Sequence, residues 1–254
     1  MNSPFVELGL SKELVAVLTG LGYEEPTPIQ SQSIPPLLAG KDLLGQAATG
    51  TGKTAAFALP LLQRALAANR KTGAPAVLVL VPTRELAIQV AEAFHSYGGK
   101  LGAVVLPIYG GAEFGRQVQA LKRGVHAVVA TPGRALDHIR RGTLKVDALA
   151  AVVLDEADEM LDMGFAEDID AILSATPAGR QTALFSATIS PTIARVASRH
   201  LREPVRVSVR PDRPSEETPA KVRQVVYVVR RTDKLAALGR ILDVEDPAAA
   251  LVFA

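Results

Sequence analysis

A chain of 254 residues with 48% hydrophobic content can bury one full α/β core and part of a second. A formal charge of +2 argues against binding nucleic acid by bulk electrostatics, so any such contact must rest on local, well-placed groups. There is no cysteine to build a disulfide framework or a thiolate metal site, the four histidines make no ligand pattern, and no apolar run approaches bilayer length; a soluble cytoplasmic protein with no membrane partner is expected.

Residues 1–40 carry helical spacing, with Leu14, Val17, Leu18 and Leu21 following the cap candidate Ser11. Gly22 to Gln30 (GYEEPTPIQ) is expected to be a stiff loop, because Pro26 and Pro28 disfavour helix. In it Gln30 offers an amide matched in donor and acceptor to the N6/N7 edge of adenine, and Tyr23 offers a face on which adenine can stack. An anonymous connection is the plainer alternative.

Gly45 to Thr54 reads GQAATGTGKT, after the apolar pair Leu43-Leu44 and before the helical run Ala55 to Leu59. Strand, Gly/Thr loop, helix is the order of a phosphate-binding loop, with Ala47 where the strict pattern has its first glycine. Gly50 and Gly52 let the backbone turn its N–H groups toward a β-phosphate, and Ala48, Thr49 and Thr51 complete the nucleotide-binding loop. Lys53 supplies positive charge for the β- and γ-phosphates, and the Thr54 hydroxyl is placed to ligand Mg²⁺. The GKT ending speaks against an ordinary glycine-rich turn.

Downstream, apolar runs alternate with helical segments. Strands are expected at Ala76 to Val81, Ala103 to Tyr109, Ala127 to Ala130, Ala151 to Leu154, Gln181 to Ser186 and Val205 to Val209. This alternation predicts an α/β doubly wound, mostly parallel sheet with helices on both faces, and ligands at the carboxyl ends of strands. The polar stretches lie at such ends: Pro82 to Ala87 (PTRELA), Gly110-Gly111, Thr131 to Arg134 (TPGR), Asp155 to Asp158 (DEAD) and Ser186 to Thr188 (SAT). Asp155 can hold Mg²⁺ through water opposite Thr54, while Glu156 orients and deprotonates an attacking water. Asp158, Ser186 and Thr188 are placed to form a polar relay to a neighbouring strand, although a helix cap explains SAT taken alone. For PTREL and TPGR, a turn with a solvated arginine suffices on residue chemistry alone.

Arg210 to Ala220, rich in proline and charge, reads as a linker. A strand at Val222 to Val229, a helix at Thr232 to Leu242 and a strand at Ala248 to Phe253 are expected beyond it. This tail has nothing of its own to pack on, and is expected to be mobile, docked on the first domain, or paired with another copy through its open strand edges.

In this order, the loop of Gln30, AATGTGKT, PTRELA, GG, TPGR, DEAD and SAT resemble the first RecA-like domain of a DEAD-box ATP-dependent RNA helicase. The resemblance implies a RecA-like domain over residues 1–210 with its Q motif at about 3–31, a linker over 211–220, and the opening of a second RecA-like domain over 221–254. It implies ATP and Mg²⁺ as cofactors, with Phe5 and Tyr23 flanking the adenine and Thr27 and Gln30 recognising it. Lys53 and Thr54 would hold the phosphates and Mg²⁺, Asp155 the metal, and Glu156 would be the general base. Asp158, Ser186 and Thr188 would couple hydrolysis to domain closure. Arg84, Gly111, Thr131 and Arg134 would grip the phosphates of single-stranded or partly duplex RNA. An RNA-stimulated ATPase that unwinds short duplexes is expected, with an ATP-gated RNA clamp or assembly scaffold as the alternative. The resemblance also places arginine fingers and a second RNA face in the second RecA-like domain, so full activity would need that domain.

Overall fold

The structure, a computed structural model, describes residues 3–67, 74–209 and 225–253. Residues 3–209 belong to one compact unit and 225–253 to another.

The first unit opens with α1 (Pro4–Glu7), α2 (Lys12–Gly20) and α3 (Pro28–Leu38). Ser11 caps α2 by accepting the Leu14 N–H, as its sequence position predicts. The stiff loop expected over Gly22 to Gln30 is shorter than predicted. Helix α3 already starts at Pro28, because proline's missing N–H costs nothing at the first helical position and Gln30 at the third accepts the Thr27 N–H at 3.0 Å. Gln30 is thus a helical residue in the first turn rather than a loop residue.

Seven strands follow: β1 (Leu43–Gln46), β2 (Val77–Leu80), β3 (Val105–Ile108), β4 (Ala127–Ala130), β5 (Ala151–Leu154), β6 (Gln181–Ser186) and β7 (Val205–Ser208). All pair in parallel, in the order β3-β4-β2-β5-β6-β1-β7. The register is flush at the carboxyl end: Leu80 lies opposite both Ala130 and Leu154, and Gln46 opposite both Ser186 and Ser208. The connecting helices are α4 (Lys53–Ala67), α5 (Arg84–Gly98), α6 (Phe114–Arg123), α7 (Pro132–Arg140) and α10 (Pro191–His200). Helices α8 (Ala157–Asp162) and α9 (Ala166–Ala175), between β5 and β6, are not assigned by the sequence reading.

Side chains alternate between two cores because strand residues alternate faces. On one face Val77, Val79, Val153 and Phe185 meet Phe5, Leu18, Ile34, Phe57 and Phe94 from the helices. On the other, Leu78, Leu80, Val152 and Leu184 meet Leu121, Leu136, Met160, Ile172 and Ile193. Burial on both sides explains why the central strands read as unbroken apolar runs.

In the second unit α11 (Lys234–Glu245) forms where a helix is expected, after a short turn at Arg231–Asp233. The two flanking strands do not form: residues 225–230 and 248–253 carry no ladder. A strand exists only through its partner, and among the described residues no partner strand is offered to Val226, Val228 or Phe253, which stay exposed. The Arg210–Ala220 linker and the first residues of the expected Val222–Val229 strand lie outside the described residues.

Candidate functional site

The loop between β1 and α4 is shaped by glycine where the backbone demands it. Gly50 and Gly52 take φ of +82° and +93°, and a Cβ on Gly52 would lie 2.5 Å from Gln30 Nε2 and 3.1 Å from Thr27 Oγ1. Ala47 has no positive φ, is 1% exposed, and donates its N–H to the Ser186 carbonyl at 3.1 Å as an extension of β1. That position requires small size rather than glycine's freedom, so alanine fits. Thr51 turns its hydroxyl to the Ala48 carbonyl at 2.8 Å.

Lys53 and Glu156, 103 positions apart, meet at the carboxyl ends of β1 and β5. Lys53 Nζ lies 2.8 Å from Glu156 Oε1, and the two side chains are 5% and 10% exposed. Thr49 Oγ1 donates to the same oxygen at 3.2 Å. Glu156 sits in the left-handed region (φ 51°, ψ 51°), a strain on the order of 1 kcal/mol or more for a residue with a Cβ, at the turn from β5 into α8. Beside it Asp155 is 3% exposed and accepts the Glu156 N–H at 3.1 Å. Burial pushes the Asp155 carboxyl up to about 7; Lys53 opposes this, and the Glu156 and Asp158 carboxylates reinforce it. A buried carboxylate beside the Lys53–Glu156 pair suits a divalent cation, and Thr54 follows Lys53 in the first turn of α4. A loop turned by Gly50 and Gly52 at the start of α4, together with Lys53, suits a phosphate chain.

Gln30 is 2% exposed and both ends of its amide are engaged: Oε1 accepts the Thr27 N–H at 3.0 Å, and Nε2 donates to the Gly52 carbonyl at 3.2 Å. The residue expected to read adenine therefore also ties α3 to the phosphate loop. Tyr23 is half-buried, its hydroxyl 2.8 Å from that of Tyr97. Phe5, expected with Tyr23 to flank the adenine, is 0% exposed and packed in the core with its ring 6.3 Å from that of Tyr23, where it anchors α1.

Asp158, Ser186 and Thr188 come together. Asp158 Oδ2 accepts from the Thr188 N–H (2.9 Å) and hydroxyl (3.0 Å), and the Ser186 hydroxyl donates to the Thr188 carbonyl at 2.7 Å. Burial raises the Asp158 carboxyl, but the hydrogen bonds from Thr188 and Ser186 outweigh it and hold the group below its ordinary value.

The remaining predicted residues lie on the other half of the sheet, at the ends of the adjacent strands β3, β4 and β2. Arg84 begins α5 after the cap Thr83, mostly exposed, with its guanidinium 5.8 Å from the Tyr109 ring centre. Gly111 turns with φ +82° and nothing within 4 Å of where a Cβ would be. Thr131 is the N-cap of α7 with Pro132 after it, and Arg134 reaches back to donate to the Ala112 carbonyl at 3.3 Å. The topology thus brings together two groups: Lys53, Thr54, Asp155, Glu156, Asp158, Ser186 and Thr188 around β1, β5 and β6, and the four RNA-contact candidates around β3, β4 and β2.

A family model described as DEAD/DEAH box helicase matches residues 27–196. The chain belongs to the DEAD/DEAH box helicase family. The DEAD-box ATP-dependent RNA helicase CshA of Geobacillus kaustophilus is 50% identical over 249 residues, covering 98% of this chain and 52% of the relative. That of Bacillus subtilis is 46% identical over 253 residues, covering 100% and 50%. The crystal structure of a DEAD box protein from the hyperthermophile Methanococcus jannaschii superposes with a TM-score of 0.78 at 38% identity, over 94% of this chain and 63% of that one. The first unit thus has the RecA-like fold of that family, and the chain spans about half the length of the curated relatives it matches.

Two buried polar residues of this helicase-family domain escape the sequence reading. Gln117 on α6 and His138 on α7 hydrogen-bond to each other at 2.9 Å behind Arg134. The signal available was modest: Arg134 and His138 are four residues apart and so share a face of α7.

Proposed function

We propose that the chain is the ATP- and RNA-binding part of a cytoplasmic ATP-dependent RNA helicase. The observation carrying this is the buried meeting of Lys53 and Glu156 beside Asp155, at the carboxyl ends of strands whose neighbours carry a separate arginine- and glycine-bearing face. ATP with Mg²⁺, when bound, supplies a phosphoanhydride whose γ-phosphoryl group can pass to water. Lys53 and the loop from Ala48 to Thr54 bind the phosphates, with Asp155, through water, and Thr54 holding the metal. Glu156, released from Lys53, orients the attacking water and takes its proton. Gln30, Thr27 and Tyr23 select adenine. The Asp158–Thr188 link ties the acidic turn to the end of β6, so a change at one is felt at the other.

Arg84, Gly111, Thr131 and Arg134 grip the phosphates of single-stranded or partly duplex RNA without reading its sequence. Residues 1–210 form the RecA-like domain, 211–220 a linker, and 221–254 the opening of a second RecA-like domain. The exposed Val226, Val228 and Phe253 favour docking of this segment on a partner surface, such as another copy. A positive charge facing the γ-phosphate from a second domain is worth roughly a thousandfold or more.

ATPase assays of residues 1–254 beside the intact protein, with and without single-stranded RNA, test the reading. Nucleotide binding with little stimulated hydrolysis and no unwinding is expected of the 254-residue chain. Equal stimulated rates would overturn the account. RNA held for long times with slow turnover in the intact protein would favour an ATP-gated clamp.

A further inference from the structure

Gln117 is buried on α6, yet it makes more polar contacts than α6 needs in order to fold. Its Nε2 donates to the Tyr109 carbonyl at 3.2 Å, immediately before the Gly110-Gly111 turn. Its Oε1 lies 2.9 Å from His138 Nε2 and 3.5 Å from Arg134 Nη1. Arg134 in turn donates through Nη2 to Ala112, on the far side of the same turn. One amide therefore touches the strand entering the turn, and the arginine beside it holds the residue leaving it.

His138 supports that amide from behind. It is fully buried, with Nδ1 2.8 Å from the Thr143 hydroxyl, and its ring is stacked on Phe114 at 4.2 Å and 11°. The amide oxygen can only accept, so Nε2 carries the proton, while the Thr143 hydroxyl lies 2.8 Å from Nδ1 and donates to the His138 carbonyl at 3.0 Å, holding the ring's other edge to the end of its own helix. Burial, together with Arg134 and Arg141 and against the Asp137 carboxylate, holds His138 below its ordinary value. Phe114 lies with the Arg134 and Arg141 guanidinium carbons 5.6 and 4.7 Å from its ring centre, which further restricts where Arg134 can point.

We propose that Gln117 and His138 are positioning residues that fasten the Gly110-Gly111 turn to the helix carrying Arg134, so that turn and guanidinium meet an RNA backbone as one preset unit. The inference rests on the RNA-binding reading above. Its physical content is preorganisation: a turn and a long side chain already held in their bound arrangement lose less freedom on binding than free ones.

A double-mutant cycle on a fluorescently labelled mixed-sequence single-stranded RNA tests it, with ADP affinity as the control for folding. Gln117→Leu should weaken RNA binding roughly threefold to tenfold and leave ADP affinity unchanged. In an Arg134→Ala background the same change should have little further effect. His138→Leu should lose a similar factor, and His138→Gln, which keeps a donor toward Gln117, should recover most of it. Equal losses with and without Arg134, or no loss in either background, would overturn the proposal. Should the unsubstituted chain not bind this RNA, the RNA reading itself fails. Amide exchange at residues 109–113 then still decides the positioning: faster exchange in Gln117→Leu upholds the fastening, and unchanged exchange refutes it.

Discussion

Glu156→Gln separates the pairing with Lys53 that the structure shows from the general-base role proposed for the same side chain. Before Lys53 can hold a phosphate, it must leave Glu156 Oε1, 2.8 Å away in a pair whose members are 5% and 10% exposed. A hydrogen bond to a charged partner contributes roughly 1.5–3 kcal/mol and a neutral one about 0.5–1.5. The glutamine amide oxygen still accepts from Lys53, so the substitution lowers the cost of releasing the ammonium by about 1 kcal/mol. At 1.4 kcal/mol per tenfold, ADP should bind about fivefold tighter. The carboxylate that would repel the phosphates is also gone, which acts in the same direction. Isothermal titration of residues 1–254 with ADP measures this, and Lys53→Ala should lose affinity in the same assay. Turnover of the intact protein should fall by on the order of a hundredfold or more, because the proposed general base is absent. Unchanged or weaker ADP binding by Glu156→Gln would refute the competition between Glu156 and the phosphates for Lys53.

Gln30→Ala should abolish the preference for ATP over GTP in competition binding, and a preserved preference would remove Gln30 from base recognition. Arg84→Ala should weaken single-stranded RNA binding about equally for all sequences and lower its salt slope by about one, which titrations on several oligonucleotides at graded salt would show; selective loss would indicate base readout. His138, held below its ordinary value chiefly by burial, gives a pH dependence with a definite sign. Below about pH 6.5 the unfolded chain takes a proton that the folded chain refuses, so stability falls with falling pH until the lowered folded value is passed. Urea unfolding across that range should show a flatter profile for His138→Gln; identical slopes would contradict the assignment of a neutral buried ring.

What was legible in the sequence is what short segments settle by themselves. Ala151 to Leu154 is apolar throughout, short and rich in valine, as a strand buried on both sides is; Ser11 caps the helix it precedes; Gly50 and Gly52 stand where the backbone turns left-handed. The sites at strand ends follow from the same alternation. Lys53 against Glu156, by contrast, is a contact across 103 positions, created by the pairing of β5 with β6 and β6 with β1. No local pattern encodes that strand order, nor its division of the polar residues into two neighbouring faces. Local rules also misjudged two places where a partner elsewhere decides. Gln30 became part of a helix, its amide taking the Thr27 N–H and reaching the Gly52 carbonyl, and the apolar runs at 225–229 and 248–253 found no ladder to join. Propensity depends on a few neighbouring residues, whereas burial and strand pairing depend on what the rest of the chain brings alongside, which only the tertiary structure decides.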